Sequence, residues 1–201
     1  MRVRRAGMSV LVLCAAVATV ASAQKSTNYG VLAGGSFAKF RGSDVGEFSK
    51  TKVGIAAGLF VTAGLTPQFA IEPELLYVMK GGKNDSDESI KISYIEIPVL
   101  LKLRVPTKGI VSPNFYVGPQ LGIKAGCSVK SAATNDCGTA GVTLKSTEFG
   151  VVFGAGVDVR RAIITARYDL GLTKLDSQPP TEDVKNGTFY LLAGWAFRTP
   201  H

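Results

Sequence analysis

Three glutamates are the residues best suited to chemistry. Glu72, Glu74 and Glu96 could supply general acid-base catalysis. They lack the companions such chemistry normally recruits. The single histidine is His201, on the last position of the chain, so no serine or cysteine has a histidine base beside it in sequence. Cys127 and Cys137 stand ten apart in KAGCSVKSAATNDCGTAG, and a metal site there would need partner ligands that a lone terminal histidine does not provide. No nucleotide-binding loop, metal motif or basic nucleic-acid patch appears; the lysines and arginines are scattered singly. The expectation is a protein with no catalytic residue, no metal and no cofactor. The two cysteines are expected to form a disulfide that staples one loop, as suits an exported chain.

The glutamates gain a different meaning from the segments that carry them. Tyr94–Val105 reads YIEIPVLLKLRV. Ile95, Ile97, Val99, Leu101, Leu103 and Val105 fall on one face, and Glu96, Pro98, Lys102 and Arg104 share the other with Leu100, which is the period of a strand with one oily and one polar face. Seven further segments alternate in the same way: roughly Asn28–Phe40, Lys52–Gly64, Gln68–Lys80, Asn114–Lys124, Glu148–Arg160, Ala162–Lys174 and Thr188–Arg198. No segment shows a helical spacing of apolar residues. A slip in the alternation near Ser93–Tyr94 predicts a bulge, and Pro73, Pro98 and Pro119 are expected to mark bulges or strand ends.

Composition fits strands packed closely. Apolar residues make up 46% of the 201, charged residues only 19%, and there are 23 glycines. The formal net charge is +8, of which Arg2, Arg4 and Arg5 supply three, in a leader without an acid. Residues 1–23 combine that basic start with an apolar run from Val10 to Val20 and end in Ala21-Ser22-Ala23, the pattern of a cleaved secretory signal peptide. The apolar run is too short for a membrane anchor, and Leu13 before Cys14 is too large for a lipidation site. The remaining residues, 24–201, form one domain, and no peptidoglycan-binding domain is expected after the last segment.

The connections set the architecture. Those after the odd segments are long and polar (41–51, 81–89, 125–147 and 175–187), and those after the even ones are shorter, with tight turns at Leu65-Thr66-Pro67 and Arg161. Long loops at one end and short turns at the other predict an all-β, eight-stranded, antiparallel up-and-down transmembrane barrel in the cell outer membrane, loops outside. Its oily faces carry aromatics near the strand ends, among them Tyr29, Phe37, Phe69, Phe115, Phe189 and Trp195. Its other faces carry glycine and charges: Glu72, Glu74, Glu96, Lys102, Arg104, Lys124, Glu148, Asp158, Arg160, Arg167 and Asp169. Six acids against five bases predict a salt-bridged lumen. Two alternatives are a small-solute porin and a soluble lipocalin-like barrel with the oily face inward. The abundance of glycine on the polar face favours a crowded interior over a surface exposed to water. Lipid requires a sheet without edges, because it cannot satisfy backbone hydrogen bonds.

The stretches YIEIPVLLKLRV, FYVGPQLGIKAG and EFGVVFGAGVDV resemble the porin-like outer-membrane β-barrel family sometimes called PorT-type, with Glu96-Ile97-Pro98 and Gly118-Pro119 carrying most of the likeness. The resemblance spans about Tyr29 to Phe197. It implies an eight-stranded outer-membrane barrel and brings little mechanism. The expected role is structural or surface-binding, through the long loops, above all the one closed by Cys127 and Cys137. The expected partners are outer-membrane lipid and an extracellular or envelope protein, without nucleic acid, and the barrel is expected to be a monomer. One departure is the ending: many such barrels finish on an aromatic residue, whereas Phe197 is followed by Arg198-Thr199-Pro200-His201.

Overall fold

A computed structural model describes residues 27–43, 50–84, 86, 88–130, 134–138, 145–175 and 184–197. Nine strands run β1 (Thr27–Arg41), β2 (Lys50–Gly64), β3 (Phe69–Lys83), β4 (Ser89–Arg104), β5 (Val111–Lys130), β6 (Thr134–Asp136), β7 (Thr147–Val159), β8 (Ala162–Gly171) and β9 (Lys185–Ala196). Eight of them close a ring: each pairs antiparallel with its neighbour in the chain, β5 passes to β7, and β9 returns to β1. The three-residue β6 pairs only with the far end of β5, Ser128–Lys130. The expected eight-stranded up-and-down barrel is therefore found, with one short strand added at its loop end. Among the described residues there is no helix.

The period-2 pattern sets the faces. Along β4, Glu96, Pro98, Leu100 and Lys102 are buried, while Val99, Leu101 and Leu103 are exposed. The exposed faces of the other strands carry Val53, Ile55, Leu59, Phe115, Val117 and Leu191. This is the reverse of a soluble ligand-binding barrel, whose oily side points in. Aromatics gather in two belts, as expected at two membrane interfaces. Tyr29 packs on Phe197 at the turn end, with ring centres 5.4 Å apart. Toward the loop end Phe37 meets Phe189 at 6.2 Å, and Phe153 meets Tyr168 at 5.7 Å.

Two expectations need correction. Pro73, Pro98 and Pro119 lie neither at bulges nor at strand ends: they sit opposite Val99, Gln120 and Val151, and the register is unchanged on either side of each. A proline removes one donor from a ladder, and in a closed barrel the neighbouring rungs hold the register. The register shifts lie at Thr51/Ala56 of β2 and, as the slip in alternation predicts, at Ser93/Tyr94 of β4. There the extra residue belongs to the partner strand: Ser93 faces Gly126 and Tyr94 faces Lys124, so Ala125 bulges. The second correction concerns length. β3 continues through Gly81-Gly82-Lys83 and β5 through Ala125–Lys130, stretches whose glycine and lysine content reads as loop.

Candidate functional site

The inward faces hold three tiers of charge, and β3 contributes to each. At the loop-end tier Lys80 of β3 is the hub. Its Nζ lies 2.7 Å from Glu96 of β4, 3.0 Å from Glu148 of β7 and 2.5 Å from Asp169 of β8. Lys80 is 1% exposed, as are all three carboxylate residues. The remaining acceptor capacity is used in part: Asn186 Nδ2 donates to Glu148 at 2.6 Å, and the Tyr190 hydroxyl donates to Glu96 at 3.1 Å. Two glycines make room. A Cβ on Gly150 would sit 2.7 Å from Asp169 Oδ1, and one on Gly171 would sit 2.9 Å from Glu148 Oε1.

The middle tier is one ion pair. Arg167 of β8 donates from one guanidinium nitrogen to Glu74 of β3, at 2.7 and 3.0 Å to its two oxygens, and the guanidinium also stacks 5.3 Å from the Tyr190 ring centre. At the turn-end tier Lys102 of β4 lies 3.2 Å from Glu72 and 3.4 Å from Asp158. The Thr62 hydroxyl donates to Glu72 at 2.5 Å and Asn114 Nδ2 to Asp158 at 3.1 Å. Each tier includes a pair between strands that are not neighbours, and the Lys80–Asp169 and Arg167–Glu74 pairs, both between β3 and β8, brace opposite walls of the barrel.

Apolar side chains fill the space between tiers. Leu32, Phe60, Leu76, Tyr190 and Leu192 form one cluster, and Leu100, Tyr116 and Val152 another. Phe40, Ile92, Tyr94 and Leu175 close the loop end, with Leu175 brought in from the segment after β8. Among the described residues, two internal spaces, beside Glu74 and beside Lys102, measure about 10 and 20 Å³, room for at most a water each.

Of the eleven charged residues singled out in the sequence, Glu72, Glu74, Glu96, Lys102, Glu148, Asp158, Arg167 and Asp169 meet one another or Lys80 in these tiers. Arg104 and Lys124 are half-buried, and Arg160 is exposed in the β7–β8 turn. The hub, Lys80, is not one of the eleven. Lys80 stands on the inward side of its segment, at the end of a stretch of alternation, and that position was the only signal available. The three glutamates considered for acid-base chemistry are all buried and engaged in the lumen. Among the described residues no three His, Cys, Asp or Glu side chains are grouped to hold a metal ion.

At the loop end the disulfide between Cys127 and Cys137, with Cα atoms 5.5 Å apart, ties the end of β5 to the residue after β6. Lysines crowd the neighbouring strand ends. Lys50 stands directly across from Lys83, Lys83 across from Ser89, and Ser89 across from Lys130. Lys52 donates to the Ser89 hydroxyl at 2.9 Å.

Residues 22–177 match the family described as outer membrane protein beta-barrel domain. Among solved structures, the barrel is similar to neisserial surface protein A, at 15% identity over 86% of this chain and 100% of that one, with a TM-score of 0.52. It is also similar to Ail, the attachment invasion locus protein of Yersinia pestis, at 17% identity over 86% and 99% of the two chains, with a TM-score of 0.48. Outer membrane protein OprG from Pseudomonas aeruginosa aligns at 14% identity over 88% and 98%, with a TM-score of 0.47. At such identities the likeness is one of fold. No curated protein sequence matches the chain.

Proposed function

The chain belongs to the outer membrane β-barrel family, a transmembrane barrel of the outer membrane, and on that premise we propose that it is a non-enzymatic, plugged barrel that presents its loop end as a binding surface. The observation that carries this reading is the lumen. Three tiers of charge with apolar clusters between them occupy the lumen, and the two spaces beside Glu74 and Lys102 measure about 10 and 20 Å³, each too small for a solute, so in this reading a partner acts on the outside of the barrel. The narrower PorT-type assignment rests on the sequence resemblance alone. In this reading residues 1–23 are the export signal, and they lie outside the described residues.

The long-loop end faces outward, as in barrels of this architecture, and the protein works as a monomer. Loops on a rigid scaffold carry function, and the β5–β6 extension is tied down by the Cys127–Cys137 disulfide and by three paired residues of β5 and β6. The four long connections of this end hold six bases and nine acids, and Lys52, Lys83 and Lys130 on adjoining strand ends make a local basic patch. Like charges close together on neighbouring strands are unfavourable, and Lys83 and Lys130, each across from Ser89, with Lys52 donating to the Ser89 hydroxyl, make a patch that an acidic segment stabilises. In this reading the partner is an extracellular or envelope protein that offers an acidic segment to this patch.

The test is retention of cells displaying the full chain on a surface coated with an acidic protein such as phosvitin, against one coated with lysozyme. Binding should be selective for the acidic coat. It should fall both in Lys83→Gln/Lys130→Gln and when 131–136 is replaced by a short Gly-Ser link with Cys127→Ser and Cys137→Ser. Deleting the whole of 125–147 would be uninformative, because β5 runs to Lys130. Equal retention by every variant would overturn the proposal.

A further inference from the structure

We infer that the turn end of the barrel carries a second site, which takes the phosphate of an anionic phospholipid headgroup. A concavity of about 520 Å³ opens there between the end of β4, the β4–β5 connection, the β7–β8 turn and the end of β9. That volume lies within the range of small-ligand sites. Its cationic side is Arg104, Arg160 and Arg161, and its apolar side includes Ile110 and Trp195.

Three features point to an anion. Asp158 is the one acid in the lining, and its carboxylate is already drawn inward by Lys102 at 3.4 Å and Asn114 at 3.1 Å. Among the described residues, the arginines therefore face the concavity without an acid of their own. Arg104 Nε is buried with no hydrogen-bond partner among the protein groups. Arg160 has φ 56°, and among the described residues it is the only non-glycine in the left-handed region. That backbone position favours glycine or asparagine, so an arginine held there points to a role for its side chain.

The apolar side selects the source of the anion. Trp195, on the outward, lipid-facing side of β9, is 49% exposed, and Ile110, in the β4–β5 connection, is 60% exposed. A phosphate attached to acyl chains satisfies both halves at once: the guanidinium groups bind its oxygens by charge-assisted hydrogen bonds, while the chains run along Trp195 and its neighbours. A free phosphate uses only the first half.

Native mass spectrometry of the full chain, released from detergent with added phosphatidylglycerol or phosphatidylcholine, reads this directly. Phosphatidylglycerol should remain bound preferentially. Arg160→Asn/Arg161→Gln should lower its retention by about ten-fold or more, the factor expected from losing one charge-assisted hydrogen bond. Asparagine keeps the left-handed backbone, and heat-modifiable gel migration verifies that the variant folds. Arg104→Gln, which leaves the turn intact, should weaken retention too and serves if the double variant does not fold. Equal retention by wild type and both variants would overturn the inference. So would equal retention of the two lipids, and so would displacement of the lipid by millimolar inorganic phosphate, which would make this a site for free phosphate.

Discussion

Lys80 and Glu96 lie 2.7 Å apart, and each is 1% exposed, although the two belong to different strands and sixteen positions separate them. Their approach draws Glu148 and Asp169 in from two further strands, so a single ammonium group holds three carboxylates. Removing it should leave buried anions facing one another. Lys80→Met, which keeps the length and loses the charge, should destabilise the folded barrel by about 3–5 kcal/mol, as expected for a buried charge stripped of its partner. Urea titration of the refolded protein in lipid vesicles measures this, and a loss below about 1 kcal/mol would show that the cluster is not braced by Lys80.

The Arg167–Glu74 pair permits a cleaner dissection, because each is the other's ion-pair partner at 2.7 Å across the lumen. Glu74→Leu and Arg167→Met should each destabilise strongly, since each abandons a buried charge. The double variant should be nearer to wild type than the sum of the singles, with a coupling of about 0.5–3 kcal/mol. Additive losses would mean that the two residues act separately.

Gly150 tests the packing around the hub. A Cβ there would come within 2.7 Å of Asp169 Oδ1 and 2.8 Å of Gln120 Oε1. Gly150→Val should cost about 1–3 kcal/mol through overpacking, measured in the same titration, whereas Gly109→Ala, with open space around it, should be silent. A tolerated valine would mean that the carboxylates have room to spare.

Most of the barrel could be read from the sequence because one rule, alternation, acts along every strand. It places Glu96, Lys102 and Arg167 inside and Ile95, Ile97, Val99, Leu101, Leu103 and Val105 outside without any knowledge of strand pairing. Alternation is one-dimensional, however. It says that Lys80 faces inward but not that β4, β7 and β8 bring three carboxylates to it, which depends on how the strands stagger around the ring. It also stops where polar residues begin: Gly81–Lys83 and Ala125–Lys130 continue their strands because neighbouring ladders hold them, not because their composition favours it. Arg160 illustrates a third gap. As the last residue of an alternating run it counted as a lumen charge, and the turn that follows Val159 places it outside instead.

The export signal makes a separate prediction. Cleavage after Ala23 should leave Gln24 as the first residue of the protein recovered from outer membranes. N-terminal sequencing decides it, and a retained Met1 would contradict the expected signal peptide.

Planar-bilayer conductance tests the plugged lumen most directly. With three tiers of charge and internal spaces of about 10 and 20 Å³, the wild-type barrel should insert without steady conductance steps, and Arg167→Ala, which empties the middle tier, should open measurable ones. A wild-type barrel that already conducts steadily would contradict the account.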